Sequence, residues 1–153
     1  IERCLEATRL APSACNGQPW RFIVVESQFL KNELAEKAFS GPYKMNSFAN
    51  QAPVIVAVVT LPTKAAPSFA GFFRRLSYPL IDIGIACEHF VLQATEEGLG
   101  TCWIGWFNER AVKNSLSLPR AERVHILLAV GYSDKESSGI RNRKKITEMS
   151  EYR

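Results

Sequence analysis

The sequence predicts a chain of the α/β or α+β class built around a central sheet, and three observations carry that expectation. Short β-branched and aromatic runs at 20–25, 53–60, 101–107 and 124–132 alternate with segments of helical periodicity. The run Pro53-Val54-Ile55-Val56-Ala57-Val58-Val59-Thr60 is apolar almost throughout, the pattern of a strand covered on both faces. The segment from Leu80 to Leu99 is apolar around most of its girth, which a helix tolerates only when it is buried on more than one side.

The elements follow in order. Ile1, Cys4, Leu5, Thr8 and Ala11 keep helical spacing until Pro12 stops it. No capping residue and no initiator Met precede them, so the chain is expected to open inside a helix whose start lies upstream. A polar turn over 12–19 leads into a strand, Trp20-Arg21-Phe22-Ile23-Val24-Val25. Ser27 then caps a helix over about 28–39, with Phe29, Leu30, Leu34, Ala35 and Phe39 turned inward, and Gly41-Pro42 breaks it. After the second strand, residues 61–78 combine Pro62 and Pro67 with Phe69, Phe72, Phe73 and Tyr78. Such a loop is read either as a lid or dimer contact, or as an insertion with a few core anchors.

The long helix follows, with Asp82, His89, Gln93 and Glu96 on one narrow stripe; in so short a chain its second apolar side predicts a homodimer. Gly98-Leu99-Gly100 ends it, and Thr101-Cys102-Trp103-Ile104-Gly105-Trp106-Phe107 reads as a strand interrupted by glycine. Asn108 caps a short helix to about Leu116, with Ala111, Val112 and Leu116 inward. Val124–Tyr132 is the last core strand, and the tail beyond it is polar and basic.

With 153 residues, 46% hydrophobic and 22% charged, the chain has enough material for one domain and too little for two. The net charge of +4 is scattered except for Arg141, Arg143, Lys144 and Lys145, a cluster without interleaved aromatics. That pattern suits a small anionic ligand better than nucleic acid. Four cysteines and two histidines offer no CxxC pair and no zinc spacing, so reduced thiols and a cytoplasmic location are expected. No apolar run is long enough to span a bilayer, and no metal is expected. His89 reads as a polar-stripe residue and His125 as structural; neither has a partner set for acid–base or nucleophilic work.

No GxGxxG follows a strand and no GxxxxGK[ST] is present, so a dinucleotide fold of the Rossmann type and a P-loop are both unsupported. The unusual feature is the turn Pro12-Ser13-Ala14-Cys15-Asn16-Gly17-Gln18-Pro19, which gathers hydroxyl and amide groups between two prolines. Neutral donors and acceptors on a rigid turn suit a planar heterocycle, although an Asx-turn alone also explains Asn16. Trp103, Gly105 and Trp106 are candidate neighbours for such a ring, and the two tryptophans read equally well as core.

The run from Ala7 to Val25 resembles the A-x-x-A-P-S-x-x-N-x-Q-P-W-x-F-x-V segment of the nitroreductase family. Asp82-Ile83-Gly84-Ile85-Ala86 is similar to the start of that family's interface helix, and Gly98–Gly105 to the turn and strand beside its flavin. Arg141-Asn142-Arg143-Lys144-Lys145-Ile146-Thr147-Glu148 resembles its closing basic segment, whereas an N-terminal Arg-Arg-Ser-x-Arg counterpart is missing. The resemblance implies one α+β domain over residues 1–153, an α/β/α sandwich around a mixed, mainly antiparallel sheet, incomplete at its N-terminus and paired as a homodimer. It further implies FMN held between two subunits. Pro12, Ser13 and Asn16 would contact the flavin, Gln18 would fix the turn, Ile104 and Gly105 would face its reactive edge, and Arg141 and Arg143 would pair with its phosphate. NAD(P)H would donate hydride, and a nitroaromatic or quinone would accept it in ping-pong turnover without a catalytic side chain. Phe69, Phe72 and Phe73 would shape the acceptor pocket. The same resemblance leaves open a flavin-binding or interaction protein with little turnover, or another reaction on the same fold such as dehalogenation or flavin reduction.

Overall fold

The computed structural model describes residues 1–62, 76–133 and 142–153. Four strands form one sheet: β1 (Trp20–Val25), β2 (Val54–Thr60), β3 (Gly100–Ile104) and β4 (Arg123–Gly131), in the order β1-β2-β4-β3. All three described pairings are antiparallel. Alternation then places successive side chains on opposite faces. Val56 and Val58 join Leu128 and Val130 on one face, while Ile55, Ala57 and Val59 join Leu127 and Ala129 on the other. Five consecutive residues of β2, Ile55 to Val59, are fully buried, as expected of a strand with a layer on each side.

One layer consists of α1 (Glu2–Arg9) and α3 (Tyr78–Glu96), which pack on each other and bury Cys4, Ile83, Cys87, Phe90 and Ala94. The ring of Phe90 stacks on Phe22 of β1 at 6.0 Å. The other layer holds α2 (Gln28–Ala38), α4 (Glu109–Ser115) and a 3-10 stretch over Gly41–Gln51. A last short helix, α5 (Ile146–Met149), lies in the exposed tail. The result is the expected α+β sandwich.

Several boundaries match the sequence reading closely, because the signals were chemical. Asn108 caps α4 by accepting from Ala111 N at 3.1 Å, whereas α3 begins two residues before the expected Leu80, with Pro79 in its first turn, where its missing N–H costs nothing. Two expectations for α2 fail. Ser27 stands at its N-cap, but its side chain makes no capping bond. Phe29 is exposed, because the buried face of α2 is Lys31, Leu34, Ala35 and Ala38. Phe29 precedes Lys31 by two residues, about 200° around the helix. Lys31 is inward because its apolar stem crosses the core while Nζ donates to Asn50 O at 2.7 Å.

The β2–β4 register shifts between Val58 and Val59, which pair with Ile126 and Val124. His125 is the extra residue of this bulge, not an ordinary strand position. Burial, assisted by Arg123, lowers its imidazole below the usual range, with Glu109 opposing.

Candidate functional site

The turn over 12–19 folds into a tight bend with an internal bracing system. Asn16 N donates to Ser13 O and Gly17 N to Ala14 O, both at 3.0 Å, closing a short 3-10 turn over Ala14–Asn16. Ser13 Oγ accepts from Gln18 N at 3.0 Å, and Gln18 Nε2 donates to Asn16 Oδ1 at 3.1 Å. Gln18 thereby fixes the Asn16 amide with its oxygen turned toward the bend. Cys15, Asn16 and Gln18 all adopt positive φ, at 52°, 51° and 44°. Non-glycine residues there cost about 1–2 kcal/mol each, and such strain gathers at ligand clamps and switches. Pro12, Asn16 and Gln18 are exposed, so the braced polar groups face outward.

The second predicted cluster lies where β3 ends. Ile104 is buried in the sheet, and the chain leaves the sheet at exposed Gly105. A Cβ placed on Gly105 would meet nothing within 4 Å, so no contact within this chain requires glycine there. Trp106 follows, 56% exposed. Its backbone oxygen accepts from Asn46 Nδ2 at 2.7 Å, its indole donates to Pro42 O at 3.3 Å, and its ring lies 5.1 Å from that of Tyr43. Neither Trp106 nor Trp103 is core; both present aromatic surface. The residues bracketing Trp106 come from the 3-10 stretch, which carried no functional signal in the sequence.

Register relates the two clusters. Trp20 pairs with Thr60, Thr60 with Arg123, and Ile104 with Leu127, so the bend and Gly105 leave the same end of the sheet. They leave from opposite edges, about 14 Å apart across three strand spacings of about 4.8 Å, and Gly105 leaves the sheet beside Leu127, four residues from the Arg123 end of β4. A described cavity of about 350 Å³ lies at the other end, between Pro53, Gly100, Thr101, Gly131 and Tyr132. It contains neither cluster.

Two structural features bear on a second copy. Helix α3 leaves Leu80 at 45%, Ile81 at 47% and Leu92 at 62% exposed. Gly84, on the same helix, has no heavy atom within 4 Å of where a Cβ would stand, although glycine inside a helix costs about 0.5–1 kcal/mol relative to alanine. Asp82 does not share the solvated stripe expected for it. It is 5% exposed, and its Oδ1 accepts from Ala14 N at 3.0 Å, joining α3 to the bend. An acid within a run of Leu and Ile was the sequence signal for this contact.

Of the remaining predicted residues, Arg143 is exposed in the tail, its Nη1 donating to Asn142 O. Arg141, Phe69, Phe72 and Phe73 lie outside the described residues. His89 Nδ1 donates to Ile85 O at 2.9 Å, an ordinary helical back-bond. No group of metal-binding side chains occurs among the described residues, and no described helix is long and apolar enough to cross a membrane.

The family model described as Nitroreductase family matches residues 1–132. A relative from Archaeoglobus fulgidus, provisionally named NADH dehydrogenase/NAD(P)H nitroreductase, is 30% identical over 144 residues, covering 89% of this chain and 74% of the relative. An iodotyrosine deiodinase from Thermotoga neapolitana is 28% identical over 150 residues, covering 85% and 74%. The crystal structure of a nitroreductase family protein from Clostridium novyi NT is similar in fold, with a TM-score of 0.73 at 37% identity over 86% of this chain and 72% of that one.

Proposed function

The chain belongs to the nitroreductase family, and on that premise we propose that it is an FMN-dependent oxidoreductase whose site is shared by two copies. The observation that carries the reading is the braced bend with its outward polar edge, at the same end of the sheet as the open backbone of Gly105. These residues fit a flavin. A neutral, rigid edge matches a ring with alternating donors and acceptors, and a glycine without neighbours admits a flat ring against the backbone.

In this reading Pro12 and Ser13 line the ring, and Asn16 hydrogen-bonds its polar atoms from an orientation set by Gln18. Ile104 and Gly105 contact the reactive edge, and Arg141 and Arg143 pair with the phosphate. The apolar face of α3, with Gly84 permitting close approach, packs on the same helix of a second copy. FMN, when bound, supplies the redox chemistry: hydride from NAD(P)H in, electrons to a nitroaromatic or quinone out, in ping-pong order. The protein contributes orientation and exclusion of water, and no side chain serves as nucleophile or general base.

The test is optical. Purified protein should carry or take up FMN, bleach under anaerobic NADPH or NADH, and recolour when a nitroaromatic is added. Flavin that neither nucleotide can bleach would reduce the protein to a binding module. A second reaction is favoured by the similarity to the deiodinase. Release of iodide from iodotyrosine by the reduced protein, without nitroaromatic turnover, would assign that chemistry instead.

A further inference from the structure

We propose that Asp82 is a positioning residue for cofactor capture, holding the bend over 12–19 in its binding shape from the first turns of α3. The proposal rests on the FMN reading and deepens it.

Three residues of the bend, Cys15, Asn16 and Gln18, have left-handed backbones despite carrying side chains. Such a shape persists only where surrounding contacts impose it. The bonds among Ser13, Ala14, Asn16, Gly17 and Gln18 are internal, so they move with the bend and cannot place it against the fold. Two described bonds connect it to other elements. Leu61 N donates to Pro19 O at 3.0 Å, fixing the exit against the end of β2. Ala14 N donates to Asp82 Oδ1 at 3.0 Å, fixing the entry.

Asp82 is buried on a helix otherwise apolar at Leu80, Ile81, Ile83 and Ile85. A carboxylate in such surroundings is costly unless it is hydrogen-bonded, and Ala14 N supplies that bond. The contact joins residues 68 apart in sequence, and Asp82 adjoins exposed Ile81, so one helical turn both anchors the bend and presents the apolar face.

The experiment uses the full chain with amide hydrogen exchange over the bend and FMN titration by fluorescence quenching. In Asp82→Ala the bend amides should lose protection, and FMN affinity should fall on the order of tenfold or more. Asp82→Asn keeps the Oδ1 acceptor and should restore both. Ala14→Pro removes the donor instead, at the first position of a 3-10 turn that suits proline, and should reproduce the affinity loss. Combined with Asp82→Ala it should add nothing further, because both changes remove the same bond. If Asp82→Ala unfolds the chain, Ala14→Pro and Asp82→Asn decide the matter. Unchanged affinity and protection in variants of a protein that binds FMN would overturn the clamp and leave the flavin reading intact. A wild-type protein that takes up no FMN, yet deprotects its bend when Asp82 is replaced, would overturn the flavin reading and with it the assignment to cofactor capture.

Discussion

At Asn16, a residue with a left-handed backbone has its side-chain oxygen engaged by Gln18 and is exposed. On the proposed reading, Asn16→Ala should weaken FMN binding about tenfold, near 1.4 kcal/mol, with little change in unfolding temperature. Retained FMN affinity would remove Asn16 from the site. Cysteine chemistry gives a second check. Cys87 is fully buried and burial pushes its thiol up to about 12, whereas Cys15 is exposed. Iodoacetamide at pH 8 should therefore label Cys15 in the folded protein and Cys87 only on unfolding.

Glu109 sets part of the acid stability. The Arg123 guanidinium bonded to it, at 2.7 Å, holds its carboxyl below the usual range against the opposing effect of burial, and Val124 N adds a bond at 3.0 Å. A carboxyl lowered on folding adds stability at neutral pH that is lost as pH falls through the carboxylate range. Glu109→Gln should cost about 1 kcal/mol at pH 7 and flatten the acid limb of a stability–pH curve. At this scale the amide-rich turn and Gly105 were legible in the sequence, because their residue types are chemically unusual where they stand. Asp82 was misplaced because helical spacing groups it with His89 and Gln93, while the bend that covers it lies 68 residues away.

Among the elements, α3 carries the sharpest consequence. Its exposed Leu80, Ile81 and Leu92 would remain in water in a lone chain, and each fully buried aliphatic side chain contributes about 1.5–3 kcal/mol. Ile81→Glu should turn a dimer into a monomer in sedimentation, with far-ultraviolet dichroism unchanged. Wild-type protein sedimenting as a monomer at micromolar concentration would refute the assembly. Helix and strand positions were legible because apolar periodicity, Pro12 and Asn108 mark them physically. The 3-10 stretch over Gly41–Gln51 was not: Gly41-Pro42 read only as a break, and its hold on Trp106 exists only in three dimensions. Phe29 misled because size suggested burial where helical phase dictated exposure.

For the whole molecule, the two halves of the candidate site emerge from opposite edges of the sheet, toward one end, and the cavity beside Pro53 and Gly131 contains neither. On the proposed reading a site shared between copies resolves that arrangement: the bend of one protomer would meet Gly105 of its partner. A central sheet with helices was legible from alternation, and the sandwich through the family resemblance, whereas sharing is a matter of geometry between two chains. Subunit complementation tests it most directly, by measuring FMN bound after Asn16→Ala and Gly105→Val chains, each defective alone, are mixed and allowed to exchange. If the site is shared, every mixed dimer regains one intact site, so flavin binding reappears at wild-type affinity. If each chain builds its own site, both sites of a mixed dimer keep a defect, and no recovery on mixing would contradict the account.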